Sequence, residues 1–551
     1  MKPLGIYFEK VLSPKEKTFL DPLLKPLERL LYRCLKLDPL TEHNWKEYLT
    51  HILTFSLASI ILTYLLTSLQ SYLPFNPQTF TSPAWHTNLN TAISFTTNTN
   101  WQNYGGESTL SYFTQMAALT VQNFVSAAVG ISAAAALVRG IARRESKTIG
   151  NFWTDLIRIS LYILLPLSIL GATLFISQGV PQTLKPYAVA KTLESGKIQT
   201  IALGPIASQQ AIKLLGTNGG GFTNTNSAHP FENPTPFSNF LQLLFILLIS
   251  SALIYYFGRS VQDVEHAWYI FASLLATLSV SFLVCLYYES SGNPEWAKLG
   301  IVGGNWEGKE LRFGIFQSAL FACITTGTSC GAVNCMHDSF TPIGGLMLML
   351  NMQLSETIIG GVGAGLYSII LFIFLSIFIA GLIIGRTPEY LGKKIDVYEI
   401  KMTMLANLAF VLIALLFTSW ACVANWGLAG LGNSGPHGFS EILYAFSSCT
   451  ANNGSAFAGL KGNTPPYDLT MAIAMLLGRF TFMAPVIAIA GSLAEKKFHP
   501  KTAASFPISS FVFLSFFVGV ILLLGALNFL PALTMGPIVE YFFMIKGTLF
   551  P

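Results

Sequence analysis

The chain has 551 residues, of which 32 are Lys or Arg and 27 are Asp or Glu, so 11% of the side chains are charged where a soluble domain carries ~25%. With 52% hydrophobic residues gathered in long uninterrupted runs, the sequence excludes a water-soluble multidomain enzyme and specifies an all-α integral membrane protein with many crossings. The net charge of +5 is small for this length and its basic residues sit in short loops between apolar runs, which excludes nucleic acid as a partner.

Residues 1–49 mix both charges and hold no apolar stretch of signal-peptide length, so they read as a cytoplasmic segment without a cleaved leader. A hydrocarbon core of ~30 Å takes about 20 apolar residues per helix. Nine spans meet that measure, at 50–73, 112–138, 156–177, 237–258, 267–288, 341–385, 402–425, 468–494 and 511–533. The sixth is too long for one helix and is interrupted by Gly360-Gly361-Val362-Gly363-Ala364-Gly365. It is expected as two helical pieces around an unwound loop shielded by protein or water. Arg139, Arg143, Arg144, Lys147 and Arg158 follow span two, Arg386, Lys393, Lys394 and Lys401 follow span six, and Lys496, Lys497 and Lys501 follow span eight. Those loops are cytoplasmic by the positive-inside bias.

Between spans one and two, three and four, five and six, and seven and eight lies a shorter semi-apolar stretch that ends in small polar residues. These clusters are Thr97-Asn98-Thr99-Asn100, Thr217-Asn218-Gly219-Gly220-Gly221, Ser329-Cys330-Gly331-Ala332-Val333-Asn334 and Asn452-Asn453-Gly454-Ser455-Ala456. Taking Asn98, Gly219, Gly331 and Gly454 as markers, the separations are 121, 112 and 123 residues. One architecture at a near-constant period implies four repeats of helix, re-entrant loop and helix around a central pore, over 50–138, 156–258, 267–385 and 402–494, with a final span at 511–533. The topology puts all four clusters on the external side.

A dehydrated cation needs its water oxygens replaced, and rings of backbone carbonyls supply neutral dipoles without trapping it. Gly allows the turns that aim successive carbonyls at one axis, while Asn and Thr tolerate tight turns and fasten a loop from behind. Any one cluster alone reads as an ordinary surface turn. Four at one period, each behind a helix too short to span, read as one pseudo-fourfold ring.

Thr96 to Gln102, Gly216 to Pro236 (GTNGGGFTNTNSAHPFENPTP), Cys330 to Val333, Met336 to Phe340 (MHDSF), Gly385 to Asp396 (GRTPEYLGKKID) and Asn452 to Leu460 (NNGSAFAGL) closely resemble the potassium-translocating, channel-like subunits of the bacterial Kdp potassium-importing ATPases. The resemblance covers residues 45–545 and extends to the wider class of four-repeat potassium transporters. It implies a potassium filter formed by Asn98, Thr99, Thr217, Asn218, Gly219, Cys330, Gly331, Asn452, Asn453 and Gly454, with Gln102 at its border. It implies a gating loop at Gly360, Gly361, Gly363 and Gly365, and Arg479 as a pore-facing cation. It further implies a P-type ATPase catalytic subunit and small single-span accessory subunits as partners, in the lipid of a bacterial inner membrane. Members of that family usually begin with a further transmembrane helix, whereas here Lys2-Pro3-Leu4-Gly5 follows Met1 directly. Either the recorded start lies downstream of the true one or the helix is missing, which gives nine spans against the family's ten.

Arg479 has a reading without the resemblance. An arginine about a dozen residues into an apolar segment is costly unless it faces water or a partner, and it is either a tie to a backbone carbonyl or carboxylate or a charge under the filter that resists leakage. Gly303 to Lys309 (GGNWEGK) matches a P-loop pattern, but Glu310 stands where Ser or Thr would meet magnesium, and the strand-to-helix setting is missing. His337 with Asp338, and His229 with Glu232, lack further ligands at workable spacing and read as hydrogen-bonded supports of the loops. The seven cysteines form no CxxC pair and argue against disulfides or a metal centre. The segment from Arg386 to Lys401 mixes signs and reads equally as a solvated loop or a docking surface. Without a long cytosolic domain or the Asp-Lys-Thr-Gly sequence of a phosphorylated transport ATPase, the chain is not an enzyme by itself and takes no cofactor beyond transported potassium. A stand-alone potassium channel or symporter is the alternative reading.

Overall fold

The computed structural model describes residues 1–13, 16–354, 357–499 and 507–548; of the basic loop residues named above, Lys501 lies outside them. Two helices precede the first span, α1 (Lys2–Val11) and α2 (Asp21–Cys34). Neither is a loose cytoplasmic tail. Gly5 lies so close to the helix Pro236–Ser260 that a Cβ there would sit 2.8 Å from the Tyr255 ring and 2.9 Å from the Ala252 carbonyl oxygen. Glu28 of α2 is buried in an ion pair with Arg158 at 3.0 Å, and the hydroxyls of Tyr32 and Tyr162 also donate to it.

Among the described residues nine helices are long and apolar enough to cross a membrane. In chain order the helices that matter are α3 (Trp45–Ser68), α4 (Trp85–Thr96), α5 (Thr114–Ala142), α6 (Phe152–Ser177), α7 (Ile206–Leu215), α8 (Pro236–Ser260), α9 (Val264–Ser291), α10 (Gly314–Gly327), α11 (Pro342–Gln353), α12 (Ala364–Ile384), α13 (Val397–Val423), α14 (Gly435–Thr450), α15 (Pro465–Glu495), α16 (Phe511–Leu533) and α17 (Val539–Lys546). Their starts are written in the sequence. Asn44 and Glu47 form a capping box before α3, Thr235 and Ser238 one at α8, and Asp396 and Glu399 one at α13. The sixth span is two pieces, α11 and α12, separated by an unwound stretch in which Ile358, Ile359 and Val362 are buried. Gly365 belongs to the first turn of α12 and not to the loop.

Burial separates the helices into two layers. The apolar windows of α5, α8, α12 and α15 are 83%, 78%, 67% and 61% buried, against 22%, 44%, 33% and 44% for α3, α6, the span beginning with α9, and α13. The former four are therefore an inner set, and the latter present their apolar sides outward, where lipid is the solvent. The four short helices α4, α7, α10 and α14 have 12, 10, 14 and 16 residues, too few at 1.5 Å per residue to cross, and their C-terminal ends are wholly buried.

Two of the basic residues read as topology signals are also tied into the fold, Arg139 partly buried and Arg158 buried. Arg139 makes two 2.6 Å contacts with Asp155, and Arg158 holds Glu28; both bind carboxylates that a local view of the sequence does not supply. The segment from Arg386 to Lys401 is likewise no freely solvated loop. It folds as a hairpin of β3 (Glu389–Tyr390) on β4 (Lys393–Lys394), two further strands, β1 (Ala188–Lys191) and β2 (Ile198–Ile201), pairing between α6 and α7. Tyr390 and Lys393 of the hairpin are buried.

Candidate functional site: a ring of four loops

Each short helix ends in the same cap. The residue after the last turn takes a left-handed conformation at Asn98 (φ 66°), Thr217 (φ 47°), Ser329 (φ 51°) and Asn452 (φ 51°). The next amide then reaches back to the carbonyl five residues earlier: Thr99 to Ser94 at 3.0 Å, Asn218 to Lys213 at 2.8 Å, Cys330 to Thr325 at 2.9 Å and Asn453 to Ser448 at 2.9 Å. This is the Schellman termination, and it turns the chain sharply back from the helix axis. A left-handed Thr is rare because its branched Cβ crowds the carbonyl. The cap also fixes the correspondence of the loops. Asn100, not Asn98, lies opposite Gly219, Gly331 and Gly454, so the marker chosen in the first loop is two residues early.

The four loops close on one another in order. A Cβ on Gly219 would overlap the backbone nitrogens of Gly331 and Ala332, one on Gly331 would lie 2.8 Å from the Asn453 carbonyl oxygen, one on Gly454 would overlap the Thr99 carbonyl oxygen, and one on Gly220 would lie 2.7 Å from the Asn100 carbonyl oxygen. Gly219 (φ 87°) and Gly454 (φ 95°) are also left-handed, so these two positions require glycine on both counts. Side chains stitch the circle. Asn98 donates to the Gly216 carbonyl at 3.2 Å, Ser329 to the Ala451 carbonyl at 2.8 Å and Asn452 to the Thr99 hydroxyl at 2.9 Å, while the Gly331 amide meets the Asn218 carbonyl at 3.4 Å. Gln102 and the backbone of Gly221 hold each other through both amide groups, at 3.0 and 3.3 Å.

Behind the ring stand buried ion pairs that nothing in local sequence announces. Lys213, in the last turn of α7, is paired with Glu232 and donates to Asn226 at 3.0 Å, and Asn226 donates to the Gly219 carbonyl at 2.6 Å. Glu289 of α9 is paired with Lys309 at 2.8 Å and accepts from both the amide and the hydroxyl of Thr341 at 2.7 Å. Lys309 of the P-loop-like stretch is thus a structural tie. Glu232 and His337 are supports as expected, His337 meeting the Tyr444 hydroxyl at 2.8 Å.

Over the ring lies a cavity of about 140 Å³ whose lining includes Asn100, Gln102, Gly220, Gly331, His337 and Gly454. Burial, and then the charge of Lys309, push the His337 imidazole down to about 3, so it is neutral at physiological pH and the cavity presents dipoles rather than net charge.

Under the ring lies the break between α11 and α12. The Gly360 amide donates to the Gly327 carbonyl at 3.0 Å and the Val362 amide to the Thr217 hydroxyl at 3.0 Å. Ile359 is left-handed (φ 65°), a strained state for a β-branched residue that persists only where its surroundings over-determine it. The Val362 carbonyl would lie 2.6 Å from a Cβ on Gly130 of α5, and Arg479 approaches the same glycine. Arg479 is 5% exposed and donates to the Ser126 carbonyl at 3.3 Å; among the described residues no carboxylate is within ion-pair reach. It borders a space of about 20 Å³ shared with Asn452, Tyr367 and Phe482, the volume of roughly one water.

The structure thus gathers the eleven residues singled out in the four loops into one ring with its rim. Thr325 was not singled out, and Asn100, Ser329 and Asn226 stood only within the quoted clusters and motifs without a role of their own; they carry the ring's turns and ties, which form in three dimensions and leave no signal in the local sequence.

Comparison with known proteins agrees with this architecture. The family model described as KdpA, potassium-transporting ATPase A subunit, matches residues 1–542. A potassium-transporting ATPase potassium-binding subunit of Mesorhizobium japonicum is 54% identical over 549 residues, covering 100% of this chain and 96% of that protein. One of Methylorubrum extorquens is 55% identical over 550 residues, with the same coverage. The crystal structure of the potassium transporter TrkH from Vibrio parahaemolyticus shares the fold, with a TM-score of 0.51 at 14% identity over 79% of this chain and 84% of that one. On the full-length match and on identity above one half, the chain belongs to the A-subunit family of potassium-transporting ATPases.

Proposed function

We propose that this chain is the potassium-binding subunit of an ATP-driven importer, and that its four-loop ring is the filter. The backbone carbonyls of 97–100, 216–219, 328–331 and 451–454 replace the hydration shell of an external potassium ion, with Gln102 at the rim. The observation that carries this reading is the closure of four equally capped loops into a ring beneath an uncharged cavity, an arrangement that suits a monovalent cation stripped of water and held by dipoles. A divalent ion would call for carboxylates. The break at 357–363, with Gly360, Gly361 and Gly363, serves as the gate below the ring, and Arg479 raises the electrostatic cost of a cation that passes the gate unescorted. Relatives bear the name of a subunit of a potassium-transporting ATPase, so a P-type catalytic subunit takes the ion onward. Small single-span chains and the lipid of a bacterial inner membrane complete the setting.

The test is potassium-stimulated ATP hydrolysis by this chain assembled with its ATPase partner, over a potassium titration, beside Gly219→Asp and with sodium as control. Stimulation at low potassium but not by sodium, with a rightward shift of at least tenfold in the variant, is the expected result. Hydrolysis independent of potassium in both proteins would overturn the assignment of the filter.

A further inference from the structure

The sequence offered His337-Asp338 as a pair lacking further ligands, and the fold supplies them from about a hundred residues on. Asp338 Oδ1 lies 3.1 Å from His437 Nε2. His437 and Glu441 stand four residues apart on α14 and therefore share one face of that helix. One donor atom each from Asp338, His437 and Glu441 lie within 4.8 Å of one another. We propose that these three side chains form a site for a divalent transition-metal ion of borderline softness, such as Zn²⁺, on the external face of the protein.

Several independent features support the donor set. The other imidazole nitrogen, Nδ1, is 2.8 Å from Glu540 Oε1 on α17, the carboxylate-behind-histidine arrangement that orients a ligating imidazole and presents Nε2 to a metal. Glu441 is held by the Gly432 amide at 3.0 Å and the Asn433 side chain at 2.8 Å, which leaves each of its oxygens a free lone pair. Gly459 keeps space open between the two carboxylates: a Cβ there would overlap Glu441 Oε1 and lie 2.8 Å from Asp338 Oδ2. Asp338 and His437, with Glu540 and Asn433, line a groove of about 910 Å³ that has Glu307 and Lys298 on its walls, while Glu441 is fully buried. One nitrogen and two carboxylate oxygens with open positions suit zinc, manganese or cobalt; at metal-to-ligand distances of about 2.0–2.2 Å for zinc, tetrahedral donors stand about 3.4 Å apart, so the 3.1 Å contact between Asp338 and His437 opens slightly to admit the ion. The ion displaces the proton shared between His437 and Asp338, so binding releases a proton.

Occupation would tie the segment after the third loop to the helix that carries the fourth, and through Glu540 to α17, with Asp338 next in sequence to His337, which lines the cavity over the ring. The site does not depend on the filter reading and is tested without potassium.

The experiment is calorimetric titration of the purified full-length protein with Zn²⁺, alongside His437→Gln, Glu441→Gln and Glu540→Gln, with X-ray absorption of the zinc-loaded wild type. The expected result is one Zn²⁺ per chain, weakened at least a hundredfold in the first two variants and ten- to a hundredfold in the third, with a first shell of one imidazole and oxygen donors. His43→Gln is the control, because the His43 and His51 rings, 4.5 Å apart, are a rival zinc-binding pair; affinity unchanged in this variant supports the assignment. Absence of binding up to about 1 mM, binding unaltered in His437→Gln and Glu441→Gln, or sulfur in the wild-type first shell would overturn it. The absorption measurement needs no variant and decides the question even where a substitution prevents folding.

Discussion

The hydroxyl of Thr217 accepts a hydrogen bond from the amide of Val362 at 3.0 Å, joining the second loop of the ring to the unwound break in the sixth span. Thr217 has the left-handed backbone that ends α7, and Val362 lies in the stretch that leads into α12. One side chain therefore belongs to both the ring and the loop under it. Thr217→Val keeps the shape and removes the acceptor, leaving a buried amide unsatisfied at a cost of about 1–3 kcal/mol. The expected outcome is faster hydrogen exchange at 357–363 and a raised potassium flux through the isolated chain in liposomes. Unchanged exchange in that loop would show that the bond does not hold it.

Gly454→Ala addresses the ring by itself. Its φ of 95° is poor for any L-residue, and the added methyl would overlap the Thr99 carbonyl oxygen of the next loop. Because the obstacle is backbone, no rotamer change relieves it. Potassium affinity in the assembled pump should fall at least tenfold, read as a shift of the potassium titration of ATP hydrolysis, while maximal hydrolysis at saturating potassium falls less.

The parts of this fold that were legible in the sequence rest on composition and period. Apolar length marks the crossings, the glycine run marks the break between α11 and α12, and four small polar clusters mark the loops. The register of the first loop was not legible, because Asn100 stands where the other loops carry Gly219, Gly331 and Gly454, and the left-handed residues that fix it are Asn98, Thr217, Ser329 and Asn452. No residue type is common to the cap. Charge pairing was hidden for a different reason: Arg158 finds Glu28 and Lys213 finds Glu232, partners set by tertiary packing and not by spacing along a helix. The same holds for Asp338 and His437, and for α1, whose docking on α8 depends on the absence of a side chain at Gly5.

The Lys213–Glu232 pair is fully buried and Glu232 also accepts from the amide and hydroxyl of Thr223 at 2.7 Å. Removing one charge strands the other, so Lys213→Met should destabilise by about 3–5 kcal/mol. Combining it with Glu232→Gln should recover part of that loss, since no uncompensated charge remains. Thermal unfolding of the single and double variants in detergent measures the recovery. A double variant less stable than Lys213→Met would show that Glu232 acts through Thr223 and not through the pair.

Glu42 joins the segment before α3 to the loop after α5 through two contacts with Arg143, at 2.6 and 2.7 Å. The hydrogen bonds from Arg143, opposed in part by burial and assisted by Thr148, hold its carboxyl below the usual value of 4.5. A depressed folded value means that the contribution is present above pH 4.5 and is lost as pH falls through the folded value. The difference in melting temperature between the wild type and Glu42→Gln should therefore be largest near neutrality and shrink in acid. A difference that does not change with pH would place the effect of the substitution in packing.

Lys393 of the β3–β4 hairpin is 2% exposed and its ammonium donates to three carbonyls, those of Gly140 at 2.9 Å, Leu493 at 2.6 Å and Arg143. Gly140 and Leu493 lie in the last turns of α5 and α15, and Arg143 follows α5 directly, so one side chain from the hairpin between α12 and α13 ties together the ends of two inner helices. Carbonyls at a helix end lack the amide four residues on that the helix interior supplies, and a cation there also meets the negative ends of two helix dipoles. Burial, then the like charges of Lys496 and Arg144, push the ammonium down to about 8, which leaves most of it charged at neutral pH with three protons for three acceptors. Lys393→Met keeps the stem and removes all three bonds. It should destabilise by about 2–4 kcal/mol, and potassium leakage through the chain reconstituted alone should rise as α5 and α15 part at their ends. Lys393→Arg should not restore the wild-type behaviour, because a planar fork cannot meet three converging carbonyls as a compact ammonium does. A variant that melts early yet leaks no faster would confine Lys393 to stability and remove it from control of the cytoplasmic exit.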